Sequence, residues 1–202
     1  MAERIEATDA GLADAVELLR SGSLVALPTD TVYGIGCRVG DPEGLARIFE
    51  AKRRPPEKRI PILVADLAQA GALGFRVDPR AEAVAAAFWP GALTIILAAA
   101  DGSGSTQAFR APDHPVALDL IRRSGPLAVT SANRSGEPET YDADDVLVAF
   151  ADTPLLVAVV DGGRVPGGVA STIVDLTVDL PHVLREGPVT REQLTELVGP
   201  VD

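Results

Sequence analysis

The chain has 202 residues, 47% of them hydrophobic and 23% charged, a balance that excludes a disordered or fibrous protein and leaves enough apolar material for a sizeable core. Lys and Arg number 18 against 29 Asp and Glu, a net charge of −11, so any contact with a polyanion needs a local basic footprint. A single cysteine, Cys37, excludes an internal disulfide, and with only His114 and His182 beside it a structural Cys/His zinc site is excluded as well.

The N-terminal segment carries acidic residues where a signal peptide needs a basic start, and no stretch approaches the roughly 18 apolar residues of a membrane span. A cytoplasmic protein with no membrane association is expected. From about Thr8 to Arg20 the residues Leu12, Ala15, Val16 and Leu19 share one helical face, with Thr8 or Asp9 as cap and Gly22 as stop. The apolar run Leu24 to Leu27 reads as a strand that Pro28 ends and that opens into a loop through Thr29-Asp30-Thr31 and Val32 to Gly36.

Asp41-Pro42 starts a second helix, with Leu45, Ile48 and Phe49 as its buried stripe and a basic last turn near Arg53. A buried strand is expected over Ile60 to Val64, and alanine-rich helices over Asp66 to Gly74 and Asp78 to Trp89. Strands follow over Leu93 to Ala99 and Thr106 to Ala111. Helical spacing over Pro115 to Arg123 leads to a short buried strand, Leu127 to Thr130. The last third reads as a helix near Ala143 to Phe150, strands near Leu155 to Val160, Thr172 to Leu176 and His182 to Arg185, and a helix opened by the capping box Thr190 to Gln193. With no internal repeat and no Pro/Gly/Ser-rich linker, residues 1–202 are expected to form a single α/β domain on a twisted mixed sheet.

Four polar clusters interrupt this apolar pattern at the ends of strands or helices, where open α/β sheets place their ligands. Pro28 to Gly34 gathers two threonine hydroxyls, a carboxylate and a phenol, which either serve a site or cap a turn. Lys52-Arg53-Arg54-Pro55-Pro56-Glu57-Lys58-Arg59 puts five basic residues in eight positions of an acidic chain. The helix dipole accounts for one or two; five point to a phosphate or carboxylate, which takes a point charge from Lys and a fork from Arg.

Thr130 to Gly136 offers hydroxyl and amide groups suited to a phosphate or a developing oxyanion, or to an N-cap. The Gly-rich loop from Asp161 to Gly168, followed by Ala170-Ser171-Thr172, lacks the lysine of a P-loop and is by itself a mobile connection. Arg110 and Arg185 stand in or at the end of expected strands, where a charge is paired or faces a ligand. No Ser/His/Asp triad and no helical His-Glu-x-x-His metal motif can be assigned. A basic, hydroxyl-rich site without a strong acid-base pair works by positioning and electrostatic stabilisation, which makes nucleotide binding and phosphoryl chemistry the leading reading.

Taken in order, these segments resemble the threonylcarbamoyl-AMP synthase family of YrdC-like proteins. The resemblance is carried by Pro28 to Gly34, Lys52 and Arg54, Trp89 to Thr94, Arg110 to Pro115, Ser131-Ala132-Asn133 with Ser135-Gly136, Ser171 to Asp175, and Leu184-Arg185, and it spans nearly the whole chain. It implies a three-layer YrdC-like α/β domain with helices flanking the mixed sheet, and a nucleotidyltransferase that joins bicarbonate and L-threonine to the AMP part of ATP, releasing pyrophosphate. This is the first step of threonylcarbamoyladenosine modification of tRNA.

By the same resemblance, Lys52, Arg54, Ser131 and Asn133 form the catalytic tetrad around ATP. Thr106 and Arg185 contact the nucleotide, and Thr31, Arg110 and Ser171 hold L-threonine, with Arg110 on its carboxylate. Mg²⁺ is expected through the ATP phosphates, with no dedicated protein metal site. The downstream partner implied is a tRNA threonylcarbamoyl transferase complex. The sequence departs from the family pattern at Lys58 to Ile62 and at Arg185-Glu186-Gly187, and its end at Asp202 gives the expectation of a minimal form without the extra C-terminal domain of longer members.

A second reading is a module binding double-stranded RNA or acting in ribosome maturation without adenylate chemistry, against which the net charge of −11 weighs. A carbamoyl-adenylate transferase of the hydrogenase-maturation kind would bring an acylphosphatase-like region and zinc motifs, and the sequence shows neither.

Overall fold

The computed structural model describes residues 2–55 and 57–202, so Pro56 of the basic segment lies outside the described residues. In chain order the first elements are β1 (Glu3–Glu6), α1 (Asp9–Arg20), β2 (Leu24–Leu27), β3 (Gly34–Arg38) and α2 (Pro42–Lys52). Next come β4 (Ile62–Leu63), α3 (Leu67–Ala72), α4 (Pro79–Phe88), β5 (Leu93–Ala98), β6 (Thr106–Arg110), α5 (Pro115–Ser124) and β7 (Leu127–Ser131). The chain continues through α6 (Ala143–Ala149), β8 (Leu156–Asp161), β9 (Thr172–Asp175), β10 (His182–Arg185) and α7 (Arg191–Val198).

The caps explain most helix starts. Thr8 accepts the Gly11 N–H at the head of α1, Asp41 that of Gly44 before Pro42 of α2, and Asp78 that of Ala81 before Pro79 of α4. Thr190 and Gln193 close the capping box of α7 as the sequence indicates.

Contacts divide the chain into two compact units, Met1–Ile60 with His114–Gly168 and Pro61–Asp113 with Val169–Asp202. The first holds strands in the order β1-β8-β2-β3-β7, with β8 parallel to β1 and β2, and β3 antiparallel to β2 and β7. All four residues of β2 are buried. Leu24 and Ala26 pack in a cluster with Ile48 and Ala51 of α2 and Val146 of α6. Strand alternation turns Val25 and Leu27 to the other face. α1 contacts β2 and α5, and none of its buried side chains belongs to the first cluster.

The second unit orders its strands β4-β6-β5-β9-β10, with β6 parallel to β4 and antiparallel to β5, β5 parallel to β9, and β10 antiparallel to β9. The expected α/β class with a mixed sheet and flanking helices is therefore present.

Several expectations need correction. β1 escapes the sequence because only Ile5 of its four residues is buried. The segment expected to be a loop after Tyr33 is β3, whose Gly34 and Gly36 lie so close to Val129 that an added Cβ would come within 2.5 and 2.7 Å of its methyls. In α2, Leu45 is 36% exposed and Lys52 is buried instead. The expected strand over 60–64 forms only at Ile62 and Leu63. Among the described residues no helix is long and apolar enough to cross a membrane.

Candidate functional site

In the first unit the site is built on the end of α2 and the end of β7. At the last residue of α2, Lys52, the chain turns through Arg53, which takes the left-handed conformation with φ 50°. The Lys52 side chain continues the buried stripe of Gly44 and Ile48 along α2 and is only 1% exposed. Its Nζ donates to the backbone oxygens of Ser131 and Asn133 and lies 3.4 Å from Asn133 Oδ1. Three N–H groups thus meet three acceptors. These bonds tie Lys52, which the resemblance gives to the ATP site, to the 131–133 turn.

Burial and the neighbouring Arg54 guanidinium pull the Lys52 pKa from 10.5 to about 8, so the ammonium remains the main form at neutral pH. The Ser131 hydroxyl donates to Asn133 Oδ1 at 2.6 Å, and Asn133 Nδ2 donates to Glu137 O at 2.6 Å. Three of the tetrad residues, Lys52, Ser131 and Asn133, therefore form one connected network. Arg54 donates from Nε to Lys58 O at 3.3 Å and from Nη2 to Arg59 O at 3.1 Å, which folds the basic segment back on itself. Burial lowers the pKa of its guanidinium below the ordinary arginine value.

The turn is anchored at the residue before β3 and at Thr140: Ala132 N–H donates to Tyr33 O at 2.7 Å and Thr140 Oγ1 donates to Ala132 O at 2.9 Å. Thr31 lies in a tight hydroxyl turn. Its N–H donates to Thr29 Oγ1 at 3.2 Å, its own Oγ1 is 3.1 Å from that oxygen, and Thr29 donates to Val32 O at 2.7 Å. The buried Tyr33 phenol donates to Gly163 O at 2.7 Å and accepts the Gly162 N–H at 3.2 Å, so it ties down the start of the glycine-rich loop. Burial raises the pKa values of Tyr33 and Cys37 to about 12, which keeps both protonated and removes a thiolate nucleophile from consideration.

The second unit holds the remaining candidates. Ser171, 5% exposed, shares a hydroxyl hydrogen bond of 2.8 Å with Thr94. Arg185 donates from Nε to Ser171 O at 2.9 Å and from Nη2 to Ser171 Oγ at 3.3 Å, so the structure joins two residues that the resemblance gives to different ligands. The departure at Glu186-Gly187 has a clear geometry. Gly187 N–H donates to Thr172 Oγ1 at 2.9 Å, and a Cβ at this position would lie 2.2 Å from Ala170 O.

Arg110 ends β6 and donates from Nε to Gly91 O at 3.0 Å, in the turn that follows Trp89-Pro90. Thr106 starts the same strand opposite Ala98, and the strand period puts it on the face of Arg110. The sequence reading missed Thr94 as a partner of Ser171, although it lies in a quoted motif. It also missed Arg134, 7% exposed, which donates to Ala51 O. Among the described residues no group of three His, Cys, Asp or Glu could hold a metal ion.

This arrangement, an α/β fold with a lysine sealed under a Ser-x-Asn turn, belongs to a known family. Residues 17–187 match the Sua5/YciO/YrdC family model, described as telomere recombination, and the chain is a member of that family. The threonylcarbamoyl-AMP synthase of Bacillus subtilis is 38% identical over 208 residues, covering 98% of this chain and 60% of its own length. That of Chromohalobacter salexigens is 37% identical over 175 residues, covering 82% of this chain and 92% of its own. The crystal structure of P. abyssi Sua5 complexed with L-threonine superposes with a TM-score of 0.88 at 34% identity, over all of this chain and 62% of that one.

Proposed function

We propose that the protein is an L-threonylcarbamoyladenylate synthase, a nucleotidyltransferase that converts ATP, L-threonine and bicarbonate to threonylcarbamoyl-AMP and pyrophosphate in tRNA modification. The observation that carries the reading is the Lys52–Ser131–Asn133 network, which lies within a chain similar over most of its length to threonylcarbamoyl-AMP synthases.

The chemistry matches these groups. Bicarbonate takes up a proton and loses water to give carbon dioxide, which the threonine amine captures as a carbamate with release of a proton; a carbamate oxygen then forms a bond to the α-phosphorus as the bond from that phosphorus to the pyrophosphate oxygen breaks. The reactants and the transition state are anionic, so fixed positive charge and preorganised donors lower the barrier. Lys52 supplies a buried positive charge, strengthened by its low-dielectric surroundings, and keeps the 131–133 turn rigid. Arg54 supplies a guanidinium for phosphate oxygens, and Ser131 and Asn133 orient the nucleotide. Arg185 and Thr106 are assigned to the nucleotide, and Thr31, Arg110 and Ser171 to threonine, with Arg110 forking onto its carboxylate. ATP enters as its Mg²⁺ complex, the ion carried by the phosphates. The product then passes to a tRNA threonylcarbamoyl transferase.

Pyrophosphate release from ATP with bicarbonate and Mg²⁺ tests the proposal, comparing L-threonine, L-serine and no amino acid. The reading expects threonine to exceed serine by at least about tenfold, the worth of one methyl group in an apolar pocket. Release that does not depend on an amino acid, or none at all from folded protein, refutes it.

A further inference from the structure

The last four carbonyls of a helix have no partner inside it. At the end of α2 each has found one. Phe49 O accepts from Arg54 N–H at 2.9 Å and Glu50 O from Arg53 N–H at 3.0 Å, both through the left-handed turn at Arg53. Ala51 O accepts from the Arg134 guanidinium and Lys52 O from Ser135 N–H at 3.0 Å. The second pair of donors comes from the segment whose carbonyls hold the Lys52 ammonium. Helix end and turn therefore cap each other.

Arg134 carries its charge into a place that is 7% exposed, and a buried guanidinium needs a counter-charge. Asp152, in the turn after α6, ion-pairs with it, and the guanidinium lies 5.5 Å over the Phe150 ring. The same carboxylate meets Arg53 at 3.3 Å, an exposed pair that contributes little by itself. Asp152 thus touches the residue between Lys52 and Arg54 and the residue that follows Asn133.

We infer that Asp152, acting through Arg134, is a positioning residue that locks the end of α2 to the 131–135 turn and thereby sets the place of the Lys52 ammonium. Only the kinetic part of its test rests on the proposed function. Lys52 and Lys58 are the two lysines of the chain, and Lys58 is exposed, so trace acylation read by peptide mass spectrometry compares a buried amine with an internal reference.

In Asp152→Asn, below its unfolding temperature, Lys52 is expected to label at least about fivefold faster relative to Lys58, because the helix end opens locally more often. A ratio within about twofold of wild type, whatever happens to Tm, overturns the inference. If the single variant does not fold, Arg134→Met with Asp152→Asn removes both charges of the pair, so that no unpaired guanidinium is left buried, and is expected to fold. It also deprives Ala51 O of its donor, so the same rise in labelling is expected, and an unchanged ratio again overturns the inference. Faster labelling with kcat for threonine-dependent pyrophosphate release lowered about tenfold supports both readings. Faster labelling in an enzyme whose wild type releases no pyrophosphate supports the positioning role and refutes the proposed function.

Discussion

Titrating Lys52 probes the buried network by removing a single proton from it. Burial and Arg54 lower its pKa from 10.5 to about 8. Below pH 8 both the folded and the unfolded chain hold the proton, and folding bears the full cost of burying the ammonium. Between about 8 and 10.5 the unfolded chain binds more protons than the folded one, so this group makes stability rise with pH. At about 1.36 kcal/mol per pH unit, the fall from 10.5 to about 8 corresponds to about 3 kcal/mol. Lys52→Met lacks this contribution while other titrations cancel between the two proteins. From pH 7 to 10.5 the stability of wild type relative to Lys52→Met should therefore climb by about 3 kcal/mol, or about 6 to 12 °C in Tm for a chain of this size. Paired calorimetric scans across that range read the difference directly. A gap that stays flat within about 1 kcal/mol refutes the reasoning.

Activity should follow the same proton, falling about tenfold per pH unit above 8, as a pH series of threonine-dependent pyrophosphate release would show. Tyr33→Phe removes the donor to Gly163 O and the acceptor of Gly162 N–H, so a loss of about 1 to 3 kcal/mol is expected, with faster hydrogen exchange over residues 161–168. Gly187→Ala places a Cβ 2.2 Å from Ala170 O and pushes on the Ser171 backbone, so Tm should fall and KM for threonine should rise more than KM for ATP. Ser131→Ala removes the hydrogen bond to Asn133 Oδ1 at about 0.5 to 1.5 kcal/mol of stability, measurable by denaturant titration, while kcat should drop by a larger factor.

Much of the fold was legible because its signals are local. Asp41-Pro42, Asp78-Pro79 and Thr190 to Gln193 each mark a helix start through the bonds their own side chains make. What was not legible depends on distant partners. β3 reads as a loop until Val129 is seen to leave no room for a Cβ at Gly34 and Gly36. β1 forms by pairing with β8, more than 150 positions away in register, as with Glu3 beside Ala158.

The candidate residues follow the same division. Ser131 and Asn133 are recognisable as a motif, and the hydrogen bond between them is short in sequence. The burial of Lys52 is hidden in a run of exposed-looking cations, since its ammonium is satisfied only by carbonyls some 80 positions on. Arg134 looks like one more surface charge until Ala51 O, Asp152 and the Phe150 ring surround it.

The most direct test of the account is mass spectrometry of the nucleotide products formed from ATP, L-threonine and carbon-13-labelled bicarbonate, with Lys52→Met run alongside wild type. The expected product is a threonine- and bicarbonate-dependent adenylate that carries the label, lost in the variant while the variant stays folded. ATP left intact by the wild type, or cleaved to AMP with no labelled adduct, would contradict it.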